Sequence, residues 1–286
     1  MPPKPRSLFL TYTSHLCIFN SPKTRFYLFF YHYYPITYRL LTAEMTTYLL
    51  LLTVTFLAGL LQGLSGFGSV ILSLPLLILF LDVKTAIPLV ALVALALNVM
   101  LLIQLRQHLE WRRAFPLLAG TLLGVPAGVF LLKHLDTGVI EIVLGAVLIG
   151  YALYGLTFRV PMQGIRERWA YLYGFLAGCL GGSLGASGPP VIIYTSLQPW
   201  SKDQIKVTLQ GYFLVSGLIV VSFQAASGLT TWTVMKLFVL SLPAVVTGTL
   251  AGSHFYGMVR EEGYRRIIMI FLGCLGVFTV YRALNG

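Results

Sequence analysis

Residues 62–69 read Gln62-Gly63-Leu64-Ser65-Gly66-Phe67-Gly68-Ser69, and residues 181–190 read Gly181-Gly182-Ser183-Leu184-Gly185-Ala186-Ser187-Gly188-Pro189-Pro190: two polar, glycine-crowded knots inside apolar sequence. Glycine adds backbone entropy to a helix, and proline removes a donor and clashes with the preceding turn, so each knot predicts a broken helix. In hydrocarbon an opened backbone is tolerated only where protein buries it or where it lines a watery cavity. The knots therefore predict a site rather than a lipid-facing surface, as in the binding centre of a transporter.

Outward from the knots, apolar segments run over 46–62, 69–81, 85–105, 114–132, 138–157, 170–181, 188–199, 205–226, 232–253 and 265–283. Those of about 20 residues can cross a hydrocarbon core of about 30 Å, while the segments beside the knots include shorter ones. The pairs 46–62/69–81 and 170–181/188–199 each read as one broken unit followed by three long helices. The fold predicted is an all-α polytopic membrane protein of two homologous halves, each a Gly-rich broken, re-entrant unit plus three spanning helices. The first membrane repeat is 45–157, the polar link 158–169 divides the halves, and the second repeat is 170–286. Residues 1–44, with Pro2, Pro3, Pro5 and an aromatic cluster from Phe26 to Tyr34, lack a helical period and a cleavage site. They read as a weakly ordered extension or a start-site artefact, with Met45 as the natural start.

Composition points the same way. The 286 residues are 57% hydrophobic and 10% charged, against roughly 25% charged in an average soluble domain. The net charge of +11 falls in short clusters between apolar runs, which marks orientation signals rather than a nucleic-acid surface. Cys17, Cys179 and Cys274 show no metal-ligand spacing, and no nucleotide-binding motif or cofactor is indicated.

Gly63, Gly66 and Ser69 align with Gly182, Gly185 and Gly188 at a constant offset, and Gly124-Val-Pro-Ala-Gly128 parallels Gly248-Thr-Leu-Ala-Gly252, a small-xxx-small face for close helix approach. Arg106, Arg112 and Arg113 face an uncharged counterpart at 228–231, whereas Lys133 faces Arg260, Arg265 and Arg266. Such alternation suits inverted repeats, with 106–113, 158–169 and 256–266 all cytoplasmic. Eight simple spans with parallel repeats would leave the arginines of 260–266 outside.

The sharp reading of the knots is an oxyanion site. Glycines expose N–H groups, and half-helices starting near Gly68 and Gly188 point positive dipole ends inward. Ser65, Ser69, Ser183 and Ser187 would add hydroxyl donors, and Gln62, Gly63, Gly66, Phe67, Gly182, Gly185, Ala186 and Pro189 complete the candidate substrate-binding set. The plainer reading is close helix packing. Gly63-Leu-Ser65-Gly66 and Gly185-Ala-Ser187-Gly188 also resemble the nucleophile motif of rhomboid-type intramembrane proteases, so a serine hydrolase using Ser65 and His254 is the alternative. Its single, terminally placed base argues against it. Asn98, Gln104, Gln210 and Gln224 read as helix cross-links, Lys236 as a snorkelling cation, and Glu141 as the one carboxylate close to a span.

With both knots in view, the sequence resembles the TauE/SafE sulfite exporter family over Thr46 to Arg282. The likeness is carried by the stretches from Gly63 to Pro75 and from Gly181 to Pro190; the first has Ser69-Val70 where many members show a second glycine run. The resemblance implies a multi-pass carrier of the bacterial inner membrane, lodged in the lipid bilayer, moving a small sulfur oxyanion or organosulfonate and not acting as an enzyme.

Overall fold

The computed structural model describes residues 44–64, 68–104, 111–157, 164–255 and 261–285. The chain divides into two units, Met1–Leu49 and Leu50–Gly286. Of the first, residues 44–49 are described, the opening turns of helix α1 (Glu44–Leu64); all of the packing around the knots belongs to the second. There follow α2 (Ser69–Leu77), α3 (Val83–Gln104), α4 (Trp111–His134), α5 (Thr137–Thr157), α6 (Trp169–Leu184), α7 (Gly188–Ser196), α8 (Lys202–Ala226), α9 (Trp232–Phe255) and α10 (Glu261–Asn285). No strand occurs among the described residues.

Seven of these helices, α1, α3, α4, α5, α8, α9 and α10, are long and apolar enough to cross a membrane. Their outward surfaces carry large apolar side chains: Leu123 is 71% exposed, Phe115 67% and Trp232 73%. Water would penalise so much apolar surface, and lipid does not. With 16 residues, α6 extends about 24 Å, short of the hydrocarbon core, and the nine-residue α2 and α7 are half-helices.

Glycine stripes bring backbones into contact and fix helix directions. Gly59 and Gly63 of α1 abut Val245, Thr249 and Ser253 of α9 in ascending order, so these helices run parallel. Likewise Gly174, Gly178 and Gly182 of α6 climb past Leu117, Thr121, Val125 and Val129 of α4. Helices α5 and α10 are antiparallel, because Gly145 meets Gly276 and Val280 while Gly155 meets Met269. Helices α3 and α8 also cross in opposite senses, with Asn98 at Phe213 and Leu95 at Gly217. The small-xxx-small faces of α4 and α9 therefore meet the glycine stripes of the broken helices from the other half of the chain, not each other.

Both broken units return to the face they start from. The backbone N–H of Gly164, just before α6, donates to Leu197 O just after α7, and Gln198 Nε2 donates to Ile165 O. Tyr154, near the end of α5, meets Ser196 at 2.6 Å on that same face. On the opposite face Arg282 Nη1 donates to Ile78 O at the end of α2, and its Nη2 pairs with Glu141 at 3.0 Å near the start of α5. Lys84 and Lys133 reach Lys133 O and Ser227 O there, which puts the start of α3, the end of α4 and the end of α8 together. The C-terminal end of α5 and the starts of α4, α6 and α10 consequently share one face, which carries the exposed Arg112, Arg166, Arg168 and Arg266.

Candidate functional site

The two knots meet. Where α6 ends, Gly185 adopts φ 69°, the left-handed region that glycine enters at little cost. Its N–H bonds Gly181 O and the N–H of Ala186 bonds Leu180 O, closing the helix before the chain turns into α7. Gly68, at φ 96°, is a second left-handed turn, just ahead of α2. Between the two turns lies a cavity of about 60 Å³, several times the roughly 10–15 Å³ that on the same measure holds one water molecule.

Its floor and walls come from four places in the chain. The first knot gives Gln62, Gly68, Ser69, Val70 and Ile71, and the second gives Gly185, Ala186, Ser187 and Gly188. The crossing pair α3 and α8 supplies Asn98, Phe213, Ser216 and Gly217 among others. A directional chain of hydrogen bonds runs along one wall. Asn98 Nδ2 donates to Phe213 O at 3.3 Å, Gln62 Nε2 donates to Asn98 Oδ1 at 2.8 Å, and Ser69 Oγ donates to Gln62 Oε1. All three side chains are buried.

The half-helices are not equal as donors. The first N–H groups of a helix have no intrahelical acceptor, and in α2 they belong to Ser69, Val70 and Ile71, all of which line the cavity. In α7 Pro189 and Pro190 occupy the first turn and carry no N–H. Neither helix has an acidic residue in its first turn. Among the described residues no charged side chain and no histidine lines the cavity.

Of the residues singled out from sequence, Gln62, Gly68, Ser69, Gly185, Ala186, Ser187 and Gly188 line the cavity. Ser65, Gly66 and Phe67 lie outside the described residues. Gly63 and Gly182 sit in the packing seams, where a Cβ would stand 2.6 Å from Thr249 O and 2.5 Å from Val125 O. Ser183 turns its hydroxyl back to Cys179 O at 2.7 Å, and Pro189 is buried without lining the cavity. Ser187 is the hydroxyl that remains, 9% exposed at the cavity wall and without a side-chain hydrogen bond at the helix cap.

Several lining residues gave no separate signal as a site. Asn98 reads as a helix cross-link, which it is, but the cross-link forms the cavity wall. Ala91, Ala94, Phe213, Ser216 and Gly217 are ordinary members of long apolar helices, and only the α3/α8 crossing brings them here. Gln224 is the cross-link expected, its Nε2 donating to Gly182 O at 3.3 Å. Lys236 is exposed and lies 5.7 Å over the Trp232 ring, away from the cavity. His254 is exposed at the end of α9 with its ring edge-on to Phe255, and Ser65, its partner in a hydrolase reading, lies outside the described residues. No group of His, Cys, Asp and Glu suited to a metal ion occurs among the described residues.

Residues 51–279 match the family described as sulfite exporter TauE/SafE. No curated protein and no solved structure matches the chain. The match spans most of the chain, including both knots and all of the cavity, and the chain belongs to this family of membrane transporters.

Proposed function

We propose that this member of the TauE/SafE family carries a small sulfur oxyanion or organosulfonate across the bacterial inner membrane, and that the cavity between the two re-entrant tips is its substrate site. One observation carries the reading: two broken units enter from opposite faces, and their half-helices α2 and α7 both start at one cavity, which the first turn of α2 lines with Ser69, Val70 and Ile71. The amide dipoles at a helix start favour negative charge, and burial strengthens that attraction.

The helix directions support a mechanism. The α1/α2 hairpin enters from one face and the α6/α7 hairpin from the other, α5 runs opposite to its counterpart α10, and α3 runs opposite to α8. These directions support two inverted repeats that rock about a central site to open it to each side in turn. Arg112, Arg166, Arg168 and Arg266 share one face, which by the bias of basic residues is the cytoplasmic one. The test is flux in liposomes holding the purified chain, with sulfite, methanesulfonate and taurine as substrates and a neutral solute of similar size as control. Anion flux above empty liposomes supports the reading; equal flux removes it.

A further inference from the structure

The cavity has a fixed hydrogen-bond polarity, and from it we infer that the site accepts singly charged anions and takes a diprotic oxyanion such as sulfite as its hydrogen-bearing monoanion, with that hydrogen facing Ser69 Oγ. This rests on the cavity being the anion site.

The polarity follows from the end of the chain of bonds. Phe213 O can only accept, so Asn98 must turn its amide nitrogen toward it, at 3.3 Å. Asn98 Oδ1 is then the acceptor for Gln62 Nε2 at 2.8 Å, and Gln62 Oε1 is left to accept from Ser69. The Ser69 hydroxyl proton is committed, and what Ser69 Oγ offers the cavity is a pair of electrons. The residues that line the cavity with that acceptor carry groups able to donate: the first-turn N–H groups of Ser69, Val70 and Ile71, the hydroxyl of Ser187, and the second N–H of each of the Gln62 and Asn98 amides. A hydrogen-bearing monoanion satisfies both kinds of group, whereas a fully deprotonated oxyanion faces lone pairs at Ser69.

Charge selects in the same direction. No cation lines the cavity among the described residues, and what these residues offer in place of the anion's hydration is dipoles. The cost of removing an ion from water grows with the square of its charge, about fourfold from a monoanion to a dianion, while the attraction of neutral donors only doubles.

Thermal protection of the purified full chain tests this with three probes: sulfite titrated across its second ionisation, methanesulfonate, which stays singly charged throughout, and sulfate. Above the second ionisation the hydrogen-bearing form of sulfite shrinks, so its apparent affinity should fall about tenfold for each pH unit. Methanesulfonate should stay level and sulfate should give no protection. Sulfate protecting as well as methanesulfonate, or sulfite holding its affinity at high pH, overturns the inference and leaves the anion site standing. A parallel fall for methanesulfonate also overturns it, because the proton would then belong to the protein. Protection by none of the three at any pH removes the anion site itself. In Ser69→Ala, folded by its melting transition, the ratio of hydrogen sulfite to methanesulfonate affinity should drop about tenfold, the worth of one hydrogen bond to a charged group. An unchanged ratio refutes the placement of the hydrogen at Ser69.

Discussion

Glycine 182 and glycine 185 are three residues apart in one knot, and alanine at each should fail for a different reason. In Gly182→Ala the new methyl stands 2.5 Å from Val125 O and 2.8 Å from Val129 N, both backbone atoms that no rotamer change can move. To reach an ordinary contact of 3.4 Å, α6 and α4 must part by close to 1 Å. A gap of that size forfeits roughly a quarter to a half of the dispersion between facing atoms. Along the seam of Gly120, Gly124 and Gly128 against Gly174, Gly178 and Gly182 the loss should reach about 2 kcal/mol, the middle of the range for overpacked cores. In Gly185→Ala the methyl has room, its nearest neighbour being Ile87 O at 3.5 Å, but φ of 69° costs a residue with a Cβ about 1–2 kcal/mol. The two variants should thus melt earlier by comparable amounts, measured by thermal unfolding in detergent. They should separate in binding. The seam variant keeps anion protection and flux in its folded fraction, whereas the tip variant, with the cavity wall displaced, loses both. Equal loss of anion protection in the two variants, or a Gly182→Ala protein as stable as the parent, would refute the division between seam and site.

Other variants probe the remaining elements. Arg282→Leu strands the buried Glu141 and the Ile78 carbonyl, so it should destabilise by about 2 kcal/mol, below the 3–5 of a fully buried pair because Arg282 is 36% exposed; the double variant with Glu141→Leu should recover part of this in a double-mutant cycle of melting temperatures. Asn98→Leu breaks the wall of bonds, leaves Gln62 Nε2 without its acceptor, and should weaken anion affinity about tenfold in calorimetric titration. Single cysteines at Arg112 and Arg266 should react with an impermeant maleimide from the same side of the membrane; labelling from opposite sides would sink the inverted arrangement.

The knots were legible because glycine and proline act locally. A run such as Gly185-Ala186-Ser187-Gly188-Pro189-Pro190 breaks a helix whatever surrounds it, so both breaks and the half-helices after them could be placed from sequence. Which glycines face a helix and which face a cavity was not legible. Gly63 and Gly68 look alike in the knot, yet one is pressed against Thr249 and the other turns the chain at φ 96°. That difference is set by the partner helix, which lies almost 190 residues further along. The same holds for Phe213 and Ser216, whose place at the cavity depends on where α3 and α8 cross.

Hydroxyl roles were the least legible. Ser69, Ser183 and Ser187 are one residue type in equivalent settings, and sequence offers all three as donors to an anion. Ser183 spends its proton on the carbonyl one turn back, as serines in apolar helices commonly do. Ser69 spends its own on Gln62, a direction settled two bonds away by the carbonyl of Phe213. Ser187 makes no side-chain cap bond because Pro189 and Pro190 follow it: they remove the N–H groups that a capping serine would have accepted from, and the residue lines the cavity instead. The prolines that break the helix thus also leave the serine beside the break without a cap partner, and this serine lines the same cavity as the first turn of α2.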